Sequence, residues 1–387
     1  MIGMSAVIFI PDDTAKTGYP QPLMLQSVMG APLLAWLANA LFDSGVGRFF
    51  LVCHDRYVEA ARACLPAGAE VMTTMDSDPA DLLHVFLSTA EDAEHTITVV
   101  TGPAVYLPQL APQAAGRFPR VYGVSREELM QALDEHFSFA RFLLDNGSPM
   151  NEEQAMYSVA SPAELPEIAG LLQRNRLLAL ARTGVEIYDA SSCYVEPSVR
   201  VAPGARLLPG TMLRGKTVIG EEAVIGPWSV VDDSVIGARA VVNASQVRES
   251  RVGQDAVVGP YASVRGGCEL GRSVRAGSFV ELKNARLGEN TQVPHLAYLG
   301  DTEAGANCNF GCGVTTANFD RVQKHETVVG EGAFIGCNTA LIAPLQVGSG
   351  AYIGAGSTIT EDVPAQALGI ARTRQSNKKE WAAKHKK

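Results

Sequence analysis

The chain has 387 residues, a length that holds two domains and more than one hydrophobic core. Apolar residues make up 47% and charged residues 19%, which excludes a disordered polyelectrolyte. The formal net charge of −9 speaks against general nucleic-acid binding, which calls for a basic face.

The first half reads as alternating strands and helices. Ala6–Ile10 is a candidate strand, too short for a signal peptide or a membrane span, and the expected location is the cytoplasm. Ala31–Ser44 carries helical apolar spacing (Leu33, Leu34, Leu37, Leu41) and stops at Gly45. A strand over Arg48–Cys53, a helix over Tyr57–Cys64 and a buried strand over Thr96–Thr101 follow, then a helix over Glu127–Leu144. This alternation predicts a Rossmann-like three-layer α/β domain over residues 1–162 with mostly parallel strands. A helix from Ala163 to Arg182, ended by Gly184, predicts a linker over residues 163–184.

From there the period changes. Val195, Val201, Leu207, Leu213, Ile219, Ile225 and Val231 recur at a spacing of six. The pattern slips, resumes at Val252, Val258, Val264 and Leu270, and returns at Val329, Ile335, Leu341, Val347, Ile353 and Ile359. Six is the hexapeptide repeat of a parallel β-helix, in which three short strands make one triangular coil. The expected β-helix domain covers residues 185–387, its coils running from about Ile187 to Val363. A flat face left partly apolar predicts a homotrimer. The tail from Asn377 to Lys387 is locally basic and reads as a solvated end or as an arm over a polyanion.

Seven scattered cysteines do not form a disulfide framework. Cys308 and Cys312, with His295 and His325 nearby, lack the second pair of a zinc site, so no metal is expected.

Four segments in order carry a resemblance: Tyr261–Leu270 (YASVRGGCEL), Gly277–Gly288 (GSFVELKNARLG), His295–Asp301 (HLAYLGD), and Asn318-Phe-Asp320 with Lys324. From about Ala163 onward the chain resembles the bifunctional GlmU family, whose members acetylate glucosamine-1-phosphate and then uridylylate the product. The resemblance implies a left-handed β-helix that acetylates an amino-sugar phosphate from acetyl-CoA. It implies His295 as general base, which suits an ammonium that must lose a proton before attacking a thioester. Arg265, Lys283 and Lys324 would face the phosphate, which rewards guanidinium forks and ammonium charges. Tyr298 and Asn309 would bond the sugar or phosphate, and Asn318 the sugar or the acetyl group. Cys312, Phe319, Cys337, Ala355 and Arg372, with Asn318, would line acetyl-CoA.

The first domain departs from that family. The segment Tyr19–Leu34 matches its Pro-Lys-x-Leu stretch, but Gln21 stands for the Lys. The glycine loop before it is replaced by Pro11–Gly18, where Asp12 and Asp13 would repel a triphosphate. A Gly-Thr-rich base loop is missing around Met72–Leu83. The strand end that should offer a Mg²⁺ carboxylate reads Thr101-Gly-Pro-Ala104, and the metal-site asparagine falls at Ala160 or Ser161. The expectation is a nucleotidyltransferase-like domain without uridylyl transfer and without Mg²⁺. Two other readings stand beside it: a bifunctional enzyme with a disguised nucleotidyl site, or a non-catalytic trimer that binds sugar nucleotides and regulates.

Overall fold

The computed structural model describes residues 4–74, 79–90, 95–110, 118–134 and 139–386. The chain forms two compact units, Met1–Arg182 with Val195–Pro197 and Thr183–Tyr194 with Ser198–Lys387.

In the first unit a six-stranded sheet has the spatial order Glu70–Thr74, Arg48–Cys53, Ser5–Ile10, Thr96–Val100, Val121–Ser125, Ser148–Met150. The first four strands pair in parallel and the last two antiparallel, so the sheet is mixed where the sequence predicts mostly parallel strands. Ser5–Ile10 is buried along nearly its whole length, as a central strand covered on both faces must be. On one face Leu34, Leu37 and Leu41 of the helix Leu33–Asp43 pack on Ile8, Phe49 and Leu51. On the other, Leu83, Phe86 and Leu87 of the helix Ala80–Ser88 pack with Val7, Phe50 and Val99. Each such side chain fully removed from water contributes roughly 1.5–3 kcal/mol.

The helix Leu165–Arg182 belongs to this unit. Its Ile168 and Leu172 sit in a third core with Val105, Leu107 and Tyr157. The helix expected over Tyr57–Cys64 is shorter, a 3₁₀ turn Asp55–Tyr57 running into Val58–Arg62. The one expected over Glu127–Leu144 is seen as Arg126–Asp134 and Phe139–Asn146, with residues 135–138 outside the described residues.

The second unit is a left-handed parallel β-helix. Arg206 pairs with Val224 and Leu207 with Ile225, eighteen residues on, so three hexapeptides close one coil. The repeated apolar residues point inward: Leu207, Leu213, Ile225, Val231, Val258, Ile335 and Ile353 are fully buried. The slip after Val231 is not a break. Ile236, Val242 and Val247 carry the inward position on coils shortened at a turn, as Val224 pairing with Val241 shows. Coils continue past the expected end at Val363, through the pairing of Tyr352 with Leu368.

Corner hydroxyls tie the coils together. The Ser250 N–H donates to Ser234 Oγ at 3.0 Å, and the Cys268 N–H to Ser250 Oγ at 3.2 Å. Small polar residues thereby satisfy backbone groups that a narrow prism shuts off from water. One coil is longer: Asn309 pairs with Phe334, twenty-five residues on, and the excess chain leaves as a loop around Phe319–Lys324.

Candidate functional site

The β-helix register decides which side chains stand together. Arg265 pairs with Lys283, and Lys283 with Gly300, on consecutive rungs of one sheet. Glu281 pairs in turn with Tyr298. Arg265 forms an ion pair with Glu281 on the next rung. Lys283 has a different neighbour: its ammonium lies against that of Lys324, which the long coil's loop brings back over the face. This contact, the charge of Lys324, partial loss of water and then the charge of Arg265 hold Lys283 below the usual lysine range, while Asp301 opposes the shift. Like charges this close favour release of a proton unless an anion joins them.

The loop that delivers Lys324 is tightly held. The backbone N–H groups of Gln323 and Val322 donate to Asp320 Oδ1 at 2.8 and 2.7 Å, and the His325 ring bonds Asp320 Oδ2 at 2.7 Å. Those bonds, the Gln323 N–H first and the His325 ring next, keep the Asp320 carboxyl well below the ordinary carboxylate range. Asn318, at the loop's root, is buried and donates to Asp301 Oδ2; Asn284 donates to Asp301 Oδ1 at 2.7 Å. A Cβ on Gly300 would meet the Tyr298 hydroxyl and the Asn318 amide nitrogen, so glycine leaves room there for both. Arg265, Lys283, Tyr298, Asn318 and Lys324 are therefore brought to one face, with Phe319 exposed at its edge.

A second set lies along a neighbouring sheet. Gln292 pairs with Asn309, Asn309 with Phe334, and Phe334 with Tyr352. His295, Cys312, Cys337 and Ala355 each stand three residues after one of these partners. Cys312, Cys337 and Ala355 occupy equivalent turns on successive coils, and His295, at the end of the strand Gln292–His295, holds the same position on the coil before them, so the four form a column with His295 at one end. His295 is exposed, and among the described residues its ring has no hydrogen-bond or ion-pair partner. Asn309 sits on the strand leading into this column, and Arg372 is exposed just beyond the last coil. A single chain thus presents the predicted residues as two groups, a cationic face and a turn column.

The sequence reading assigned no part to Glu281, Asp301 or the Asp320–His325 pair. The coil length holds the missing signal: residues 284, 301 and 318 are spaced seventeen apart, one coil each. Cys308 is buried and its thiol bonds the Gly330 carbonyl at 3.1 Å, turned away from the Cys312 turn.

In the first unit the carboxyl ends of the parallel strands are crowded. Asp12 accepts from the Thr14 hydroxyl at 2.7 Å and forms an ion pair with Arg56. Asp13 Oδ1 accepts the Leu23 N–H at 2.9 Å. Both carboxylates hold the loop in shape, Asp12 with its charge paired by Arg56 and Asp13 through a hydrogen bond that leaves its charge in place. A Cβ on Gly102 would lie 2.7 Å from Nη1 of Arg120, so a guanidinium covers the strand end after Val100. Part of Met72–Leu83, the place of the family's base loop in the resemblance, lies outside the described residues.

Residues 326–361 match the family described as bacterial transferase hexapeptide (six repeats). The chain is 40% identical over 240 residues to the bifunctional protein GlmU of Clostridium perfringens, a match covering 62% of this chain and 53% of the relative. It is 48% identical over 203 residues to the protein of that name from Caldicellulosiruptor saccharolyticus, covering 52% and 44%. Over the matched residues the chain is similar to the GlmU proteins. With the protein of that name from Brevibacillus brevis the identity is 44% over 221 residues, covering 57% and 48%. The chain spans about half the length of the curated GlmU relatives it matches.

Proposed function

We propose that the β-helix unit moves the acetyl group of acetyl-CoA to the amine of glucosamine-1-phosphate, or of a close amino-sugar phosphate, in the supply of UDP-N-acetylglucosamine for cell-envelope precursors. The observation that carries this reading is the crowding of Lys283 against Lys324 beside Arg265. Asp301 is the carboxylate that acts against the crowding at Lys283, and a phosphate is a ligand that relieves it.

In this reading His295 takes the proton from the substrate ammonium. The freed amine attacks the thioester carbonyl, and the tetrahedral intermediate expels the CoA thiolate, which is protonated on leaving. His295 stands at the end of the column of Cys312, Cys337 and Ala355, along which the pantetheine arm would lie. Tyr298 and Asn318 offer donors beside the cationic face, and the buried Asn318–Asp301 contact fixes one of them in advance, as stabilisation of a developing oxyanion demands. The two groups of residues are best completed by neighbouring copies, so the working form is a cytoplasmic homotrimer, with Asn309 and Arg372 contributed across its boundaries.

The first unit is proposed to have lost uridylyl transfer. The strand end Thr101–Pro103 offers no carboxylate, and the Arg120 guanidinium over Gly102 repels a divalent cation. The residues there do not fit Mg²⁺. Release of free thiol from acetyl-CoA, measured with and without glucosamine-1-phosphate, tests the acetyl-transfer reading. Release that depends on the sugar phosphate supports it; a protein that binds the sugar phosphate without thiol release supports a regulatory binder instead.

A further inference from the structure

The chain has seven cysteines, and their surroundings divide them sharply. Cys53, Cys64, Cys193, Cys268 and Cys308 are buried, and burial is the leading cause that pushes each thiol up, Cys64 to about 11. Thiols held protonated inside a core are poor nucleophiles. Cys312 is half-buried and Cys337 exposed.

These two are adjacent by construction of the fold. They take the same turn position on consecutive coils, three residues after Asn309 and Phe334, which pair. The Asn338 N–H donates to the Cys312 carbonyl at 2.8 Å. A Cβ on Gly311 would come 2.9 Å from Cys337 Sγ, so that sulfur leans over the residue immediately before Cys312. Neighbouring rungs of a sheet run about 4.8 Å apart, within the roughly 4.4–6.8 Å that separates Cα atoms across a disulfide. In-register side chains on adjacent rungs project the same way, so the two Cβ atoms stand about 4.8 Å apart, and closing the bond draws the two turns together by a fraction of an ångström.

We propose that Cys312 and Cys337 are an oxidant-responsive dithiol that closes to an intramolecular disulfide between two coils and thereby displaces the turn column beside His295. The oxidant is a hydroperoxide. The exposed Cys337 sulfur attacks the peroxide, breaking its O–O bond and giving a sulfenic acid and one water. The Cys312 thiolate then attacks that sulfur, the S–S bond forms, the S–O bond breaks, and a second water leaves. Two thiols are oxidised by two electrons and one hydrogen peroxide is reduced to two waters. The effect on turnover rests on the acetyl-CoA reading above, whereas the thiol chemistry does not.

The test uses the full chain. With an aromatic disulfide reagent on the folded protein, two thiols react, and the other five react only after unfolding. Brief treatment with hydrogen peroxide removes those two, lowers the mass by about 2 Da for the two hydrogens lost, and joins the Cys312 and Cys337 peptides in a non-reducing map. Dithiothreitol reverses all three changes. In Cys312→Ser, Cys337 is trapped as a sulfenic acid by a dicarbonyl probe and no internal crosslink forms. Separate over-oxidation of both residues without a crosslink in the unsubstituted protein overturns the proposal, as does pairing of either with a buried cysteine. Acetyl transfer by the crosslinked form should fall by up to about a hundredfold, the scale reached when a reacting group is displaced by about an ångström. A crosslink that leaves transfer unchanged overturns the gating. A reduced protein that shows no transfer overturns the function proposed above and leaves the crosslink standing.

Discussion

The two units place charge in opposite ways. At the strand ends of the α/β unit, Asp12 is matched by Arg56 and Asp13 by a backbone N–H, so the loop is satisfied within itself. On the face of the β-helix, Lys283 is set against Lys324, with Arg265 on the next rung. Like charges in contact weaken each other's hold on a proton, and a ligand of opposite sign relieves both. The contrast suggests that a surface whose charges are already closed onto one another has no call on a ligand, and that one left open does.

The comparison breaks most directly at His295. His295→Ala should lower kcat for acetyl transfer by roughly two to four powers of ten, the usual value of a positioned base. Acetyl-CoA binding, followed by calorimetry, should persist. Turnover like that of the unsubstituted protein at neutral pH would remove the histidine from the chemistry.

Next in size are the cations. Arg265→Ala or Lys283→Ala should cost about one to two decades in kcat/KM with glucosamine-1-phosphate, since a charge-assisted bond contributes roughly 1.5–3 kcal/mol. Unphosphorylated glucosamine should be affected little. Arg265 carries a complication that the structure exposes: its ion pair with Glu281 leaves a carboxylate unpaired in the variant. Equal loss with both sugars would make these residues supports of the coil rather than phosphate contacts.

A smaller effect distinguishes a crowd of charges from a set of independent ones. Lys283 is held below its ordinary value chiefly by Lys324, so its ammonium is lost earlier than usual as pH rises. Use of the phosphorylated sugar should therefore weaken on the alkaline side. Lys324→Ala removes the two leading causes of the depression, and Lys283 then returns toward the ordinary lysine range. The alkaline limb of the KM profile should move to higher pH in that variant even as overall binding weakens. A limb that stays in place would show that the two lysines do not share a ligand.

How far these features could be read from the sequence differs between the units for a physical reason. In the β-helix the repeat fixes the register, and the register fixes neighbours: the six-residue period already implied that Leu207 and Ile225 stack, and they do. Coils shortened at a turn hid the continuity between Val231 and Val252, because Ile236 and Val247 fall off a strict period of six. They also hid the Asn284–Asp301–Asn318 contacts, which follow the coil length and not the hexapeptide. The α/β unit has no repeat. Its helices and central strands show in local apolar spacing, but the antiparallel edge formed by Val121–Ser125 and Ser148–Met150 depends on long-range pairing. For the same reason Arg120 could not be placed over Gly102 from its position in the chain.

The smallest expected effect lies in the α/β unit, and it is a change of nothing. Gln21→Lys restores the cation that the GlmU resemblance calls for, yet pyrophosphate release from UTP with N-acetylglucosamine-1-phosphate and Mg²⁺ should stay at background. Gln21 is already committed to the loop. Its Nε2 donates to the Leu25 carbonyl at 2.7 Å, and its own carbonyl accepts from Gln26 Nε2 at 2.8 Å. A lysine can repeat the first bond only by turning its ammonium inward, away from any phosphate. Beyond it, the loop between Pro11 and Gly18 is a short helix, Thr14–Thr17, braced by Asp12 and Asp13, and not a run of glycines that lets backbone amides approach a triphosphate. The strand end facing it bears the Arg120 guanidinium where a metal would need a carboxylate. One restored charge repairs none of these. Robust UTP turnover by the purified chain, with or without the substitution, would instead mean that the closed charges open on binding, and the contrast between the two units would lose its force.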